Sequence, residues 1–393
     1  MDGDLARTHD LGEAYARERD AADPLADFAD RFHLPDELYL DGNSLGPVSD
    51  AAEQHVDAML SAWREYGIRG WTESDPPWFT YGESLGDDLA PLLGAAGEEC
   101  IVTGTTTVNI HTLIGTFLDT LDADDDRGVL VNEVVAAMDE REVGIVFMPS
   151  VLFRSGQLLD VEAITEAAHE RDVLAGFDLA HSVGVVPHEL SAHGVDFAVW
   201  CSYKYLNAGP GAVAGLYVNE RHFGTMPALA GWWGHDKETQ FDLNLTFTPA
   251  EDAGAWQISA VPMLSTAPLA GSLELVHEAG IDRIREKSLE LTSYLMTLVD
   301  ERLAERGCTV GTPRVPERRG GHVAIEHPDA YRLSQALRDR GAIVDFREPN
   351  VIRVCPAPLY VGFREVRAFV DLLADLIDER TYEAYDTERG DIT

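Results

Sequence analysis

Lysine is almost absent from this chain. Three occur in 393 residues (Lys204, Lys237 and Lys287), and the other 27 of the 30 basic side chains are arginine. Positive charge of either kind is scarce beside 69 Asp and Glu, leaving a formal net charge of −39. So anionic a chain repels nucleic acid and acidic membrane surfaces, which excludes both as partners. It also repels itself in dilute buffer, a repulsion that fades at molar salt, where the screening length falls to about 3 Å. An acidic, lysine-poor composition therefore points to a halophilic source with a salt-filled cytoplasm; the plainer alternative is an ordinary acidic enzyme.

Cysteine is sparse too. Cys100, Cys201, Cys308 and Cys355 stand far apart, with no CxxC and no metal-ligand spacing. They read as reduced, mostly buried thiols, and no metal is expected. No stretch approaches the roughly 20 apolar residues a membrane helix needs. The opening MDGDLARTHD is acidic and lacks the apolar core of a secretory signal, so the expectation is a soluble cytoplasmic protein. What is present is ample burial capacity: 45% of residues are apolar, which excludes a disordered or fibrous chain. A chain of 393 residues exceeds what one core usually organises, so two domains, or one large α/β domain with an appendage, are expected.

From about 50 to 230, short β-branched runs alternate with helical stretches, the signature of a mainly parallel sheet. Strands are expected at Val129–Val131, Val143–Met148, Val173–Phe177, Phe197–Cys201 and Ala212–Val218. A long amphipathic stretch from Pro268 to Arg302 reads as one helix or a pair. Beyond it, strands near His322–Ile325 and Val351–Val354 and helices near Tyr331–Arg340 and Arg364–Ile377 suggest a smaller α+β domain. Residues from Thr381 onward read as a frayed end.

Lys204 stands between two tyrosines just past a buried-looking strand, in Cys201-Ser202-Tyr203-Lys204-Tyr205. A desolvated lysine gives up its proton readily and can form a Schiff base; the alternative is a lysine snorkelling from a turn. Phe177-Asp178-Leu179-Ala180-His181 ends an apolar run in a carboxylate. Pyridoxal phosphate needs such a group at its ring nitrogen, although for this aspartate taken alone a helix N-cap is the more ordinary use. His181 then either shields a cofactor ring or is a simple turn residue. Thr103-Gly104-Thr105-Thr106-Thr107 opens a helical pattern, and a helix N-terminus rich in hydroxyls suits a phosphate. Arg353, flanked by apolar residues, matches either a substrate carboxylate or a structural salt bridge. Trp232 and Trp233, bracketed by glycines, form a loop pressed against something, a subunit neighbour being one candidate.

As a set, GNSLG (Gly42–Gly46), FDLAH (Phe177–His181), WCSYKYLNAG (Trp200–Gly209) and GWWGH (Gly231–His235) resemble the kynureninases. The resemblance continues into Val351–Tyr360 and spans nearly the whole chain. It implies an α/β fold of the fold-type I pyridoxal-phosphate class, like aspartate aminotransferase. The large cofactor domain would span 50–280, and a smaller domain would join residues 1–49 to 281–393. It further implies a homodimer with the active site at the subunit interface. Lys204 would be the Schiff-base lysine, Asp178 the pyridinium partner, and His181 would lie beside the ring. Tyr203 and Ser150 would contact phosphate or ring substituents, with Tyr203 also an acid/base, and Thr106 and Thr107 would form the phosphate cap. Trp232 would reach in from the other subunit, Ala260 would border the site, and Asn43, Ser44 and Arg353 would hold the substrate. The implied reaction converts L-kynurenine, or its 3-hydroxy form, to anthranilate, or 3-hydroxyanthranilate, and L-alanine, as in tryptophan catabolism and NAD biosynthesis.

Two departures from that pattern stand out. The relatives follow the strand matching Val129–Glu133 with an aromatic-Pro-Thr/Ser-Asp segment, a helix and a strand; here Glu133 runs straight into Val134-Val135-Ala136. The relatives also carry Asn or Thr where Ala260 stands. The first departure raises the alternative of a silent homologue that keeps the fold but cannot hold the cofactor.

Overall fold

The computed structural model describes residues 11–118, 138–139, 143–242 and 245–387. The chain divides into two compact units. The larger comprises 48–153 and 158–281; the smaller comprises 1–47, 154–157 and 282–393.

The larger unit is built on a five-stranded sheet of β1 (Cys100–Val102), β2 (Ile145–Pro149), β3 (Leu174–Asp178), β4 (Phe197–Cys201) and β5 (Ala214–Val218), in the order β1-β5-β4-β3-β2. β2, β3 and β4 pair in parallel, while β5 runs antiparallel to both β4 and β1. Four strands therefore point one way and one opposes them. Four of the expected strands are present, with ends displaced by no more than two residues. β1 was not anticipated: three apolar residues are too few for a period to show. The expected strand Val129–Val131 and nearly all of the short link that follows it lie outside the described residues.

β4 and β5 are buried at every position, which is why FAVWC and AGLYV read as continuous apolar runs without alternation. Helix α1 (Asp50–Tyr66) starts at Ser49, whose Oγ accepts from the Ala52 N–H at 3.1 Å. Helix α2 spans Tyr81–Leu93, α3 spans Thr106–Leu118, α4 spans Val161–His169 and α5 spans Met263–Ala279. α3 lays Leu113 and Phe117 on the sheet, where they join Ile101, Phe197, Val199, Leu216 and Trp256 in one core. Phe117 stacks on Phe197 at 5.2 Å, and each such side chain contributes about 1.5–3 kcal/mol by burial. α5 packs closely on α1 because Gly271 faces the Ala51 carbonyl, with which any Cβ would collide.

The smaller unit holds an antiparallel sheet of β6 (Thr309–Val310), β7 (Val323–Glu326), β8 (Asp345–Arg347) and β9 (Val351–Val354), ordered β8-β9-β7-β6. It is covered by α6 (Ile281–Leu298), α7 (Ala330–Asp339) and α8 (Phe363–Glu379), whose inward residues include Leu333, Leu337, Phe369 and Leu373. The amphipathic stretch 268–302 is thus two helices, divided at Gly280, whose φ of +79° only glycine adopts freely. Leu38–Tyr39 pairs in parallel with Ala342–Ile343 and delivers the turn that begins at Asp41, itself bridged to Cys355.

Candidate active site

Because β2, β3 and β4 are parallel, and β1 points with them, their C-terminal ends share one edge of the sheet. Ser150 directly follows β2, Asp178 ends β3, Lys204 lies just past β4, and Thr106 opens α3 just past β1. Open α/β sheets bind ligands along this edge.

Lys204 Nζ lies 2.9 Å from His181 Nε2, so the amine and the imidazole share a proton site. Asp178 Oδ1 accepts from the Ala180 N–H at 2.8 Å. That closes a local turn, and no helix starts at Asp178, which sets aside the N-cap alternative. Burial lifts the Asp178 carboxyl above its ordinary range, against the opposing pull of the Ala180 N–H and the Lys204 charge. Burial, with Cys201 and Asp178 close by, pushes the Tyr203 phenol up to about 12. Tyr203 therefore holds its proton at neutral pH and is able to donate it.

Ser150 is fully buried and belongs to a polar thread that the sequence did not disclose. Its Oγ lies 2.7 Å from Ser182 Oγ, which lies 2.9 Å from His188 Nε2, while the Ser150 N–H donates to the Asp178 carbonyl at 2.9 Å. At the start of α3 the capping hydroxyl is that of Thr105, which accepts from the Val108 N–H at 3.3 Å. Thr107 is exposed and Thr106 partly so, and the first turn keeps the inward N–H groups that every helix leaves without an intrahelical acceptor.

Trp232 is 57% exposed and meets Trp233 and Phe241 edge-on. Gly231 and Gly234 press its loop against the Ala255–Ile258 backbone, where side chains would collide with the carbonyls of Ile258 and Ala255. The same segments are tied by charge. Glu83 Oε1 lies 2.9 Å from Lys237 Nζ and accepts from Gln257 Nε2 at 2.8 Å. Lys237 also lies 4.8 Å from the ring centres of both Phe79 and Trp233. The scarcity that singled out Lys204 would have singled out Lys237. It holds equally for Lys287, which is buried and paired with Asp23 at 2.6 Å. Ala260, three residues beyond Gln257, is half-buried.

In the smaller unit, Arg353 is 1% exposed and is paired with Asp345 directly across the β8–β9 ladder. Its Nη2 also donates to Ser44 Oγ at 3.0 Å. The Arg353 guanidinium thus has a carboxylate partner within the chain, Asp345, which sequence reading missed. Asn43 is fully buried, and neither polar atom of its side chain has a hydrogen-bond partner among the described residues. The assigned residues thus fall into two groups, with Asn43, Ser44 and Arg353 in the smaller unit and all the others in the larger. All four cysteines are free and buried. Among the described residues, no helix is long and apolar enough to cross a membrane, and no group of three or more His, Cys, Asp or Glu is placed to hold a metal.

Comparison with known proteins bears on the fold and the family. The family model described as the kynureninase C-terminal domain matches residues 284–373. A kynureninase of Geobacillus thermodenitrificans is 44% identical over 414 aligned residues, covering 95% of this chain and 96% of the relative. One of Shouchella clausii is 45% identical with the same coverage. Among solved structures, a cysteine desulfurase of Thermococcus onnurineus matches with a TM-score of 0.74 at 16% identity, covering 93% of this chain and 98% of that one. An alanine–glyoxylate aminotransferase of Nostoc matches with a TM-score of 0.63 at 16% identity, covering 88% and 96%. These likenesses show the fold-type I arrangement. The identity to the curated relatives, sustained over almost the full length of both partners, shows that the chain belongs to the kynureninase family.

Proposed function

We propose that the protein hydrolyses L-kynurenine, or its 3-hydroxy form, to anthranilate, or 3-hydroxyanthranilate, and L-alanine, with pyridoxal phosphate as cofactor. The observation that carries this reading is the Lys204–His181 contact of 2.9 Å beside Asp178, set where two adjacent parallel strands end. Family membership supports it and weighs against a silent homologue.

The groups present fit the cofactor part by part. Lys204 supplies the amine for the aldehyde, and buried Asp178 supplies the carboxylate for the ring nitrogen. The first turn of α3, with Thr106 and Thr107, would supply donors for the phosphate, whereas Ser150, fully buried with its N–H on the Asp178 carbonyl and its hydroxyl on Ser182, is taken up within the protein. When bound, the cofactor supplies a cationic ring conjugated to the substrate α-carbon. The Lys204 amine would serve as the base at Cα–H, and His181, 2.9 Å from it, would take up or return that proton. Tyr203, protonated at neutral pH, donates to oxygen as water adds at the γ-carbonyl and the Cβ–Cγ bond breaks. Arg353, Ser44 and Asn43 receive the substrate carboxylate.

The protein acts as a homodimer, with the exposed Trp232 directed to the partner's site. It works in the cytoplasm of a halophilic organism, a reading supported by the net charge of −39. We read a segment present in the relatives as absent here after the position of Glu133, a reading that the length of the match supports without locating the gap. The match runs over 414 aligned residues while 95% of 393 is about 373, so about 40 positions of the relatives have no counterpart. The ring-stacking aromatic of that segment is lost, and cofactor affinity is expected to be lower for it. The test is the visible absorption of protein equilibrated with pyridoxal phosphate and desalted. Wild type should retain a visible band and Lys204→Ala should not; an equal band in both would end the assignment.

A further inference from the structure

Asp41, Ser44, Arg353, Asp345 and Arg347 form one chain of charge and hydrogen bonds within the smaller unit. Ser44 Oγ donates to Asp41 and accepts from Arg353 at 3.0 Å. Asp345 pairs with Arg353 and, at 3.1 Å, with Arg347. With both acids ionised the chain holds two positive and two negative charges, a balance that a largely buried cluster requires. Beside it are polar groups without a hydrogen-bond partner among the described residues: both side-chain polar atoms of fully buried Asn43, Asp41 Oδ1 and the Tyr360 hydroxyl. Such a surplus of unsatisfied groups around a neutralised guanidinium points to a polar ligand.

A carboxylate arriving at Arg353 would make three negative charges against two positive ones, in a site where screening is weak. We propose that carboxylate binding at Arg353 is coupled to uptake of one proton by Asp41. The anion raises the proton affinity of the acids beside it, and protonation of one of them restores the balance of two against two. Asp41 is the group poised to respond. Burial raises it to about 6, with Asp345 adding to the rise and the Ser44 hydroxyl, Arg353 and Arg347 opposing it. The other titratable groups facing it are Tyr39, Tyr360 and Cys355. Burial lifts Tyr39 to about 12 and Tyr360 well above its ordinary range, so neither changes charge near neutrality. The inference rests on Arg353 being the carboxylate receiver in the function proposed above.

The test uses the cofactor-loaded protein in molar KCl and 4-oxo-4-phenylbutanoate, which has the substrate's carboxylate and aryl ketone but no amine. Calorimetric titration in phosphate and in Tris, whose ionisation heats differ, counts protons directly. The expected result is close to one proton taken up per site at pH 7.5. Affinity should fall about eightfold from pH 6.5 to 7.5, as an acid titrating near 6 requires. Asp41→Asn should abolish both effects. No proton uptake in wild type, with Arg353→Lys still weakening binding, would overturn the Asp41 proposal and leave the carboxylate site standing. Uptake that persists in Asp41→Asn would also overturn it. Binding unaffected by Arg353→Lys would instead remove the receiver itself. If Asp41→Asn fails to fold, the wild-type proton count decides.

Discussion

Asp196→Asn should destabilise the larger unit by about 3–5 kcal/mol, the cost of removing one partner from a buried ionic cluster. Asp196 immediately precedes β4, and its side chain is wholly buried. It accepts from the Ala175 N–H at 2.7 Å and meets His222 Nε2 at 2.7 Å, His169 Nε2 at 2.9 Å and Arg221 Nε at 3.2 Å. One carboxylate thereby ties together β3, β4, the end of α4 and the turn after β5. Burial alone would raise its pKa, but the bonds from His222, His169, Ala175 and Arg221 outweigh burial and draw it down to about 2. Against about 3.9 in an unfolded chain, that gap corresponds to about 2.6 kcal/mol at neutral pH. The folded value is depressed, so this stability is present above pH 4 and is lost as pH falls from about 4 to 2. The amide costs more than the titration figure because its NH2 would face donors and leave Arg221 without an anion. Denaturant unfolding followed by circular dichroism in molar KCl reads both effects. The variant should lose about 3–5 kcal/mol at pH 7, and its gap to wild type should narrow below pH 4. A loss below about 1 kcal/mol, the range of an exposed pair, or a gap that does not narrow, would refute the reasoning. Asp196 lies at the opposite end of β4 from Lys204, so turnover per folded molecule should not change.

Asp178→Ala should retain part of its cofactor by visible absorption while kcat falls by about 100-fold or more; normal turnover would remove it as ring partner. Lowering KCl from molar to millimolar should lower the unfolding temperature, because 69 acidic side chains then repel one another unscreened; an unchanged midpoint would refute the halophilic reading. Mixing Trp232→Ala with Lys204→Ala subunits in equal amounts should restore about a quarter of wild-type activity, since half the dimers are hybrids with one intact site of two. No recovery, with subunit exchange shown by a tag, would place Trp232 outside the partner's site.

The sequence disclosed most of the sheet because β4 and β5 are buried on both faces and read as unbroken apolar runs. It missed β1, where three residues give no period, and it read the α5–α6 break only as an alternative, because Gly280 is one residue in a continuous amphipathic pattern. At the site, Lys204 and Asp178 were visible because each follows an apolar run and each bears a charge. The partners that set their surroundings were not. Asp345 reaches Arg353 through antiparallel register, Ser182 reaches Ser150 from 32 residues away and links it to His188, and Glu83 reaches Lys237 across more than 150 residues of chain. Contacts of that kind are made by tertiary packing, which leaves no local period to read.

The most direct test of the account is anthranilate release. Protein purified in molar KCl, loaded with pyridoxal phosphate and desalted, is given L-kynurenine while anthranilate fluorescence and alanine are followed. The account predicts equal molar yields of the two products, lost in Lys204→Ala. A folded protein that takes up no cofactor and releases neither product would contradict it, and the silent homologue would stand in its place.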